Sequence, residues 1–248
     1  MHRSPETRHP HPRSGDIRAQ RAGASIDTGL RGFMLAIYDW MALGVALTAL
    51  VALAVASQPA LLETVAAWSL LLLLALLGLG LLAPRLIVRG SVASAHACYW
   101  SYAALWGLLL APALAVYAAI DPMMLVRAFF ITAGMFAGMS LLGYTSKRNL
   151  SGLGTFCSLA AIGLLIAMLV NVFLIESSLF SFMLSAAVVL VFAGMTAWET
   201  QVIKEMYLAH DSQEIATRKG ILGALMLYGS FMTMFVHVLN LLGLMGQD

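Results

Sequence analysis

Residues 192–207 read Phe192-Ala-Gly-Met-Thr-Ala-Trp-Glu199-Thr-Gln-Val-Ile-Lys204-Glu-Met-Tyr207, and they change from apolar to charged sequence at Glu199. The stretch ends a hydrophobic run that starts near Leu179, and such a run indicates a membrane-spanning helix. A carboxylate at the end of a membrane helix is costly unless it is paired, hydrated or neutralised. Glu199 is therefore the first candidate functional residue.

The composition of the whole chain agrees with a membrane location. Of its 248 residues, 61% are hydrophobic and 10% are charged. A soluble domain averages about 25% charged residues, so an integral protein of the lipid bilayer is predicted. The net charge of +2 gives no indication of nucleic-acid binding. Cys98 and Cys157 both lie in apolar runs. They are therefore interpreted as small hydrophobic side chains rather than as members of a disulfide or a zinc site.

Charged residues divide the chain into seven apolar windows, each long enough for one span. Pro59, Pro84 and Pro122 lie between windows and are expected to end helices. Gly134 and Gly138 form a small-xxx-small pattern on the fourth span, which predicts close helix packing. The fold class is therefore all-α, a seven-helix transmembrane domain over residues 31–248, with spans at about 33–57, 63–84, 92–117, 125–145, 152–175, 179–200 and 219–245.

The first 30 residues are a different kind of sequence, rich in Pro, His and Arg and without the apolar segment of a signal peptide. Residues 1–30 are predicted to be a disordered basic tail, with Asp27 as the N-cap of the first helix. The histidines of this segment, His2, His9 and His11, are expected to be solvated side chains of the tail rather than ligands of a metal site. Of 14 Lys and Arg residues, all except Arg127 fall on the side of this tail, which predicts a cytoplasmic N-terminus and an external C-terminus.

Polar groups at membrane depth are the remaining candidates, because the sequence holds no His-Glu-x-x-His zinc motif or phosphate loop and an enzyme is not expected. Asp39, at the cytoplasmic end of the first span, is either a surface anchor or a partner for Arg85 or Arg89. The seventh span carries a polar stripe at helical spacings of three and four, which either bonds helices together or lines a pore; it consists of Ser230, Thr233, His237 and Asn240.

Three stretches resemble the Bax inhibitor family in its bacterial branch: Leu30–Thr48, Arg127–Gly152 and Phe192–Tyr207. The resemblance implies a seven-helix bundle whose last helix is central, in a bacterial inner membrane. It also implies a calcium leak that responds to pH. In the family, one aspartate late in the sixth span and another in the seventh share a proton and hold the cytoplasmic side closed, because two close carboxylates cannot both ionise cheaply.

The chain departs from this pattern at both positions, which are Glu199 and Ser230. Glu199 keeps the carboxylate and is therefore expected to make a transient contact with a passing calcium ion. Ser230 can hydrogen-bond a carboxylate but adds no charge, so weakened pH sensing is expected. Arg85 is the only stand-in for the family's basic partner in the second span. His237 and Asn240 stand where relatives tend to carry a tyrosine and a basic residue.

Two functions remain open from the sequence. The first is a pH-modulated or constitutive calcium or cation leak, gated at Glu199 and Ser230, with no cofactor besides the permeant ion. The alternative is a non-conducting regulator that binds membrane proteins, such as a membrane-anchored quality-control protease, through residues 1–30.

Overall fold

The computed structural model describes residues 14–245, with side chains described from Thr28 onward. This range is helical and contains no β-strand. A π-helical segment, Asn171–Ile175, extends the sixth helix. The helices are α1 (Ser14–Ala56), α2 (Pro59–Ala67), α3 (Ser69–Arg89), α4 (Val92–Ile120), α5 (Pro122–Thr145), α6 (Ser151–Val170), α7 (Ser178–Met206) and α8 (Gln213–Met245).

All helices except α2 are long and apolar enough to cross a membrane, which gives seven spans in the described part of the chain, the first beginning at Thr28. The outward faces of these helices are covered with large apolar side chains; Leu81 is 79% exposed and Leu174 is 78% exposed. Apolar exposure on this scale suits contact with lipid rather than water. The predicted all-α, seven-span fold class is therefore confirmed.

Helix α8 is the centre of the bundle. In its most apolar 18-residue segment, 61% of the residues are buried within the protein, against 39% in α7 and 22% or less in the other spanning helices. It packs against α1, α3, α4, α5 and α7. The expectation of a central seventh span is thus confirmed, and residues on α8 are placed to contact most of the other helices.

The second span differs from its prediction at both ends. The predicted segment 63–84 begins inside the short helix α2, which carries the exposed Glu63 and breaks at Trp68. The spanning helix α3 then runs through Pro84 to Arg89. The prediction that Pro84 ends a helix is wrong, because a proline removes one backbone hydrogen bond, and membrane helices tolerate that loss when neighbouring groups compensate for it.

Helix α1 begins much earlier than expected. The predicted disordered tail covers residues 1–30, whereas α1 is already helical from Ser14, and Asp27 lies inside the helix rather than at an N-cap. The last proline of the tail is Pro12, and beyond it no residue prevents a helix from forming. The predictions for residues 1–13, including those for the three histidines, lie outside the described residues.

Close helix approaches occur at glycines other than the predicted pair. Gly134 and Gly138 have open space where a Cβ would lie, so this face of α5 is not packed against protein. Gly143, one turn or more further along α5, instead faces the backbone of Ala197 on α7. Gly154 on α6 likewise faces the indole of Trp198. These two contacts fix the rotation of α7 and direct the next residue, Glu199, towards α8.

Candidate functional site

Glu199 and Ser230 are in direct contact at the interface of α7 and α8. The hydroxyl of Ser230 donates a hydrogen bond of 2.7 Å to Oε2 of Glu199. Both residues are buried, with Glu199 8% and Ser230 2% exposed. Because α7 continues for seven residues beyond Glu199 to Met206, the carboxyl group lies about 10 Å from the helix end. The carboxyl is therefore a buried group inside the bundle rather than one at its rim.

No cation of the described residues neutralises Glu199. The three ion pairs in this range lie elsewhere, at Arg127–Asp121, Arg218–Glu214 and Lys219–Asp211. Lys204, one turn or more away on the same helix, donates instead to the carbonyl oxygen of Tyr144 at 3.0 Å. A charge on a buried carboxylate needs a partner, and here water or an entering cation must provide it. The protonated form needs only hydrogen bonds, of which Ser230 supplies one.

A line of hydroxyl groups passes next to the carboxyl. Thr200, the residue after Glu199, is hydrogen-bonded to Ser140 on α5 at 3.0 Å. Ser140 in turn contacts the hydroxyl of Tyr38 on α1 at 2.5 Å. In the sequence these three hydroxyl groups lie in three different predicted spans, and their contact becomes visible only in the packing of the helices. They connect α7 through α5 to α1 beside the candidate gate.

Aromatic side chains close the site on the side of α4. Tyr228 lies on α8 and its hydroxyl is bonded to Thr48 at 2.6 Å. The rings of Tyr99 and Tyr102, both on α4, lie 6.0 Å from the Tyr228 ring and are steeply inclined to it. The hydroxyl of Tyr102 lies 3.8 Å from the position that a Cβ would take at Gly229, the residue before Ser230. These tyrosines are not among the predicted site residues, although their occurrence within apolar spans is a signal that could have indicated them.

Two of the predicted latch residues lie away from the pair. Asp39 and Arg85 are both exposed, and neither takes part in an ion pair within the described range. Asp39 is therefore not paired with an arginine of the second span in this conformation, and its other predicted role, as a surface anchor, stays a prediction. A different arginine connects α8 to α3: Nη1 of Arg218 donates to the carbonyl oxygens of Val88 at 2.9 Å and Gly90 at 2.8 Å.

The outer part of the polar stripe on α8 also faces α7. Nδ2 of Asn240 donates to the hydroxyl of Ser185 at 3.1 Å, and Nδ1 of His237 lies 3.2 Å from the same oxygen. Ser230 completes the pattern through Glu199. Of the two interpretations of the stripe, hydrogen bonding between helices describes these contacts, and the interface is closed in this conformation.

The described residues contain no cluster of three His, Cys, Asp or Glu side chains that could hold a metal ion. Glu199 offers a single carboxylate there, which suits a passing contact with a cation rather than a resident site. Cys98 and Cys157 are both buried and unbridged, as expected for small hydrophobic residues.

The fold and the site define a polytopic membrane protein with a buried carboxyl–hydroxyl pair between its two most enclosed helices. Comparison with protein families gives the class a name: the family described as "Inhibitor of apoptosis-promoting Bax1" matches residues 30–247. The chain belongs to this family, the Bax inhibitor family, and the resemblance inferred from its motifs is confirmed.

Bacterial relatives cover almost the whole chain. The inner membrane protein YbhL of Escherichia coli K12 is 36% identical over 237 residues, which are 94% of this chain and 97% of YbhL. A protein of Deinococcus radiodurans is 41% identical over 212 residues, covering 86% of this chain and 90% of its own length. Protein RP147 of Rickettsia prowazekii is 35% identical over 221 residues, covering 88% and 92%.

Proposed function

We propose that this protein is a pH-modulated leak pathway for calcium or other cations, with Glu199 as the gate carboxyl and Ser230 as its neutral partner. The observation that carries the proposal is the 2.7 Å hydrogen bond between them, buried where α7 meets the central helix α8. Membership of the Bax inhibitor family supports it, since the same two positions carry the proton-sharing pair in that resemblance. No catalytic group is required, and we propose no enzymatic activity.

The gate acts through the charge of Glu199. In the neutral state the carboxyl group is hydrogen-bonded to Ser230 and α7 stays packed on α8. When the proton leaves, the carboxylate is left without a fixed cation among the described residues, and burial of an unpaired charge is unfavourable. Opening of the α7–α8 interface then admits water or a divalent cation, for which a carboxylate oxygen is a suitable ligand.

The pH response of this gate is weaker than that of a pair of aspartates. Two neighbouring carboxyl groups titrate as a coupled unit, because the charge of one opposes the charge of the other. Ser230 contributes a hydroxyl and no charge, so Glu199 titrates alone. A leak with a shallow pH dependence follows, with a constitutive component at all pH values.

The proposed location is a bacterial inner membrane with the N-terminus in the cytoplasm and the C-terminus outside. The name of the relative YbhL supports the membrane assignment. The orientation rests on the distribution of Lys and Arg. In the structure, Arg31 lies near the start of the first span, and Arg89, Lys147, Arg148 and Lys204 lie near the ends of α3, α5 and α7. This side of the bundle, called here the basic end, faces the cytoplasm in this proposal.

The function is tested by calcium flux into liposomes that contain the purified protein, measured across the neutral pH range. Wild-type protein is expected to conduct, with a modest rise in flux as pH increases. Glu199→Gln should conduct less and lose the pH dependence. The control is Glu205→Gln, an exposed carboxylate on the same helix, which should behave as wild type. Absence of flux at every pH, or flux unchanged by Glu199→Gln, contradicts the assignment.

A second function, that of a non-conducting regulator, is favoured by the long start of α1. This helix begins at Ser14, 14 residues before the span begins at Thr28, and therefore extends about 20 Å beyond it. Such an extension suits docking to another membrane protein, for example a membrane-anchored quality-control protease. Deletion of residues 1–27 separates the two functions: a regulator loses capture of its partner, whereas a leak conducts as before.

A further inference from the structure

A crevice of about 440 Å³ lies between α1 and α5 at the basic end of the bundle. Most of its wall is apolar, with Phe136 and Ala137 among the lining residues. Four polar residues also line it: Arg31, Tyr38, Ser140 and Tyr144. Neither Glu199 nor Ser230 lines the crevice, although Ser140 in its wall is hydrogen-bonded to Thr200, the residue after Glu199.

The polar and apolar groups of the crevice occupy different depths. Arg31 and Tyr38 are seven residues apart on α1, which places Tyr38 about 10 Å deeper along the helix. On the antiparallel α5, Tyr144 near the helix end and Phe136 further in are separated by about 12 Å. The crevice therefore has a cationic mouth and an apolar interior. Deep in the crevice, the hydroxyls of Tyr38 and Ser140 are hydrogen-bonded to each other, so neither needs a hydrogen-bond partner from a ligand.

The mouth of the crevice is positively charged. Arg31 is exposed and forms no ion pair in the described range. Lys147 and Arg148 follow Tyr144 closely in the chain and are exposed as well. Nζ of Lys204 lies 5.3 Å from the centre of the Tyr144 ring. Arg31 is the one charged residue among the described residues that line the crevice, so an anionic group at the mouth meets a cation and no opposing carboxylate on this wall.

We propose that this crevice binds one anionic phospholipid from the surrounding bilayer, with its phosphate on Arg31 and an acyl chain along Phe136 and Ala137. A lipid fits both parts of the site, because a phosphate pairs well with a guanidinium group and a hydrocarbon chain with the apolar wall. A soluble anion would leave the apolar interior empty, and a neutral lipid would bring no negative charge to Arg31.

The protein also contains an apolar crevice that can serve as an internal control for the lipid proposal. A second crevice, of about 490 Å³, lies between α1, α4, α5 and α8, near residues 49–56 and 114–130 and Phe235. Every residue that lines it is apolar, among them Ala118 and Phe130. It offers room for a hydrocarbon chain but no group that distinguishes one headgroup from another. Selectivity for an anionic headgroup is therefore expected at the first crevice and not at the second.

The test uses the full-length protein reconstituted in vesicles of equal parts phosphatidylglycerol and phosphatidylcholine, then extracted in mild detergent. Retained lipids are counted by native mass spectrometry. Wild-type protein should retain one phosphatidylglycerol in preference to phosphatidylcholine. Arg31→Gln should lower that preference about tenfold, the usual effect of losing one charge-assisted contact. Ala137→Phe, which fills the crevice, should abolish retention of this lipid.

Two matched variants serve as controls. Arg89→Gln removes another exposed arginine at the basic end, and Ala118→Phe fills the second crevice. Both should keep the wild-type preference for phosphatidylglycerol. Equal retention of the two lipids by wild-type protein overturns the proposal. Unchanged lipid selectivity in Arg31→Gln also overturns it. An equal loss of selectivity in Arg89→Gln does so too, because attraction of the anionic lipid would then depend on the total charge of the basic end. Calcium flux does not enter this test.

Discussion

Ser230 donates its hydroxyl hydrogen bond to Glu199 between the two most enclosed helices of the bundle, α7 and α8. This contact gives Glu199 its polar partner on a neighbouring helix, while the basic residue nearest to it on α7, Lys204, is bonded to the carbonyl of Tyr144. A serine in this position stabilises the closed interface without adding charge. In the proposed gate, the stability of the closed state and the ion flux both depend on this hydrogen bond, so substitutions of Ser230 test both.

Replacement of Ser230 by alanine should destabilise the protein. Loss of the hydroxyl leaves the buried Glu199 carboxyl without this partner, and an unsatisfied buried polar group costs about 1–3 kcal/mol. The measurement is thermal unfolding in detergent. The matched control is Thr233→Val on the same helix, because the hydroxyl of Thr233 bonds only within α8, to the carbonyl of Gly229. Its effect should be clearly smaller.

A double-mutant cycle of Ser230→Ala with Glu199→Leu measures the interaction itself, because leucine offers no acceptor to the Ser230 hydroxyl. We expect the two changes to be non-additive, because the second removes a partner that the first has already lost. Additive effects would show that the two side chains contribute independently and that the hydrogen bond has no measurable role.

Substitution of Ser230 by aspartate should steepen the pH dependence of the leak. Two charges about 4 Å apart repel by roughly 4 kcal/mol at an effective dielectric constant of about 20, so the pair holds a proton at low pH and separates when both groups ionise. Flux in liposomes should therefore rise more sharply with pH than in wild-type protein. Ser230→Asn is the control, because asparagine has the size of aspartate but no charge, and this variant should retain the shallow wild-type response. A flat response of the aspartate variant would contradict the gate assignment.

Much of the fold was predictable from the sequence because charged residues are excluded from the lipid interior. That rule located all seven spans, and Glu199 and Ser230 were paired through the family resemblance before their contact was seen. The ends of helices were less predictable. Pro84 lies inside α3 and Asp27 inside α1, since a proline or a capping residue only favours a boundary and the surrounding sequence can extend the helix through it.

The rotation of each helix could not be predicted. In a soluble protein the polar face marks the outside, but in a bilayer both the lipid-facing and the buried faces are apolar. Gly134 and Gly138 therefore looked like a packing face and proved to be open, while Gly143 makes the close approach. The hydroxyl contact of Ser140 with Tyr38 was hidden for the same reason, because it depends on how α5 and α1 are rotated.

These glycines provide a direct test of the α5–α7 packing. In Gly143→Ala the new methyl group would collide with the carbonyl of Ala197, which is backbone and cannot rotate away. We expect a loss of about 1–3 kcal/mol in the free energy of unfolding, as is usual for overpacking. Gly138→Ala is the control on the same helix, where the methyl group meets open space and should be neutral or slightly stabilising. Equal melting temperatures of the two variants would show that this approach is not tight.

Arg218 replaces the expected arginine of the second span as the connection between α8 and α3. Its Nη1 donates to two carbonyl oxygens at the end of α3, those of Val88 and Gly90. Hydrogen bonds from a charged donor contribute about 1.5–3 kcal/mol, and partial exposure places this one at the lower end. Arg218→Gln should therefore lower the melting temperature and raise the basal flux at every pH, because the basic end of the bundle is then less firmly closed.

The control for this variant is Arg85→Gln, since Arg85 is exposed and unpaired among the described side chains. It should leave both stability and flux unchanged. If Arg85→Gln raised the flux and Arg218→Gln did not, Arg85 would be the arginine that holds the protein closed, in keeping with its predicted role as stand-in for the family's basic partner. If neither variant raised the flux, the closed state would depend on the Glu199–Ser230 contact and the packing of α7 on α8 alone.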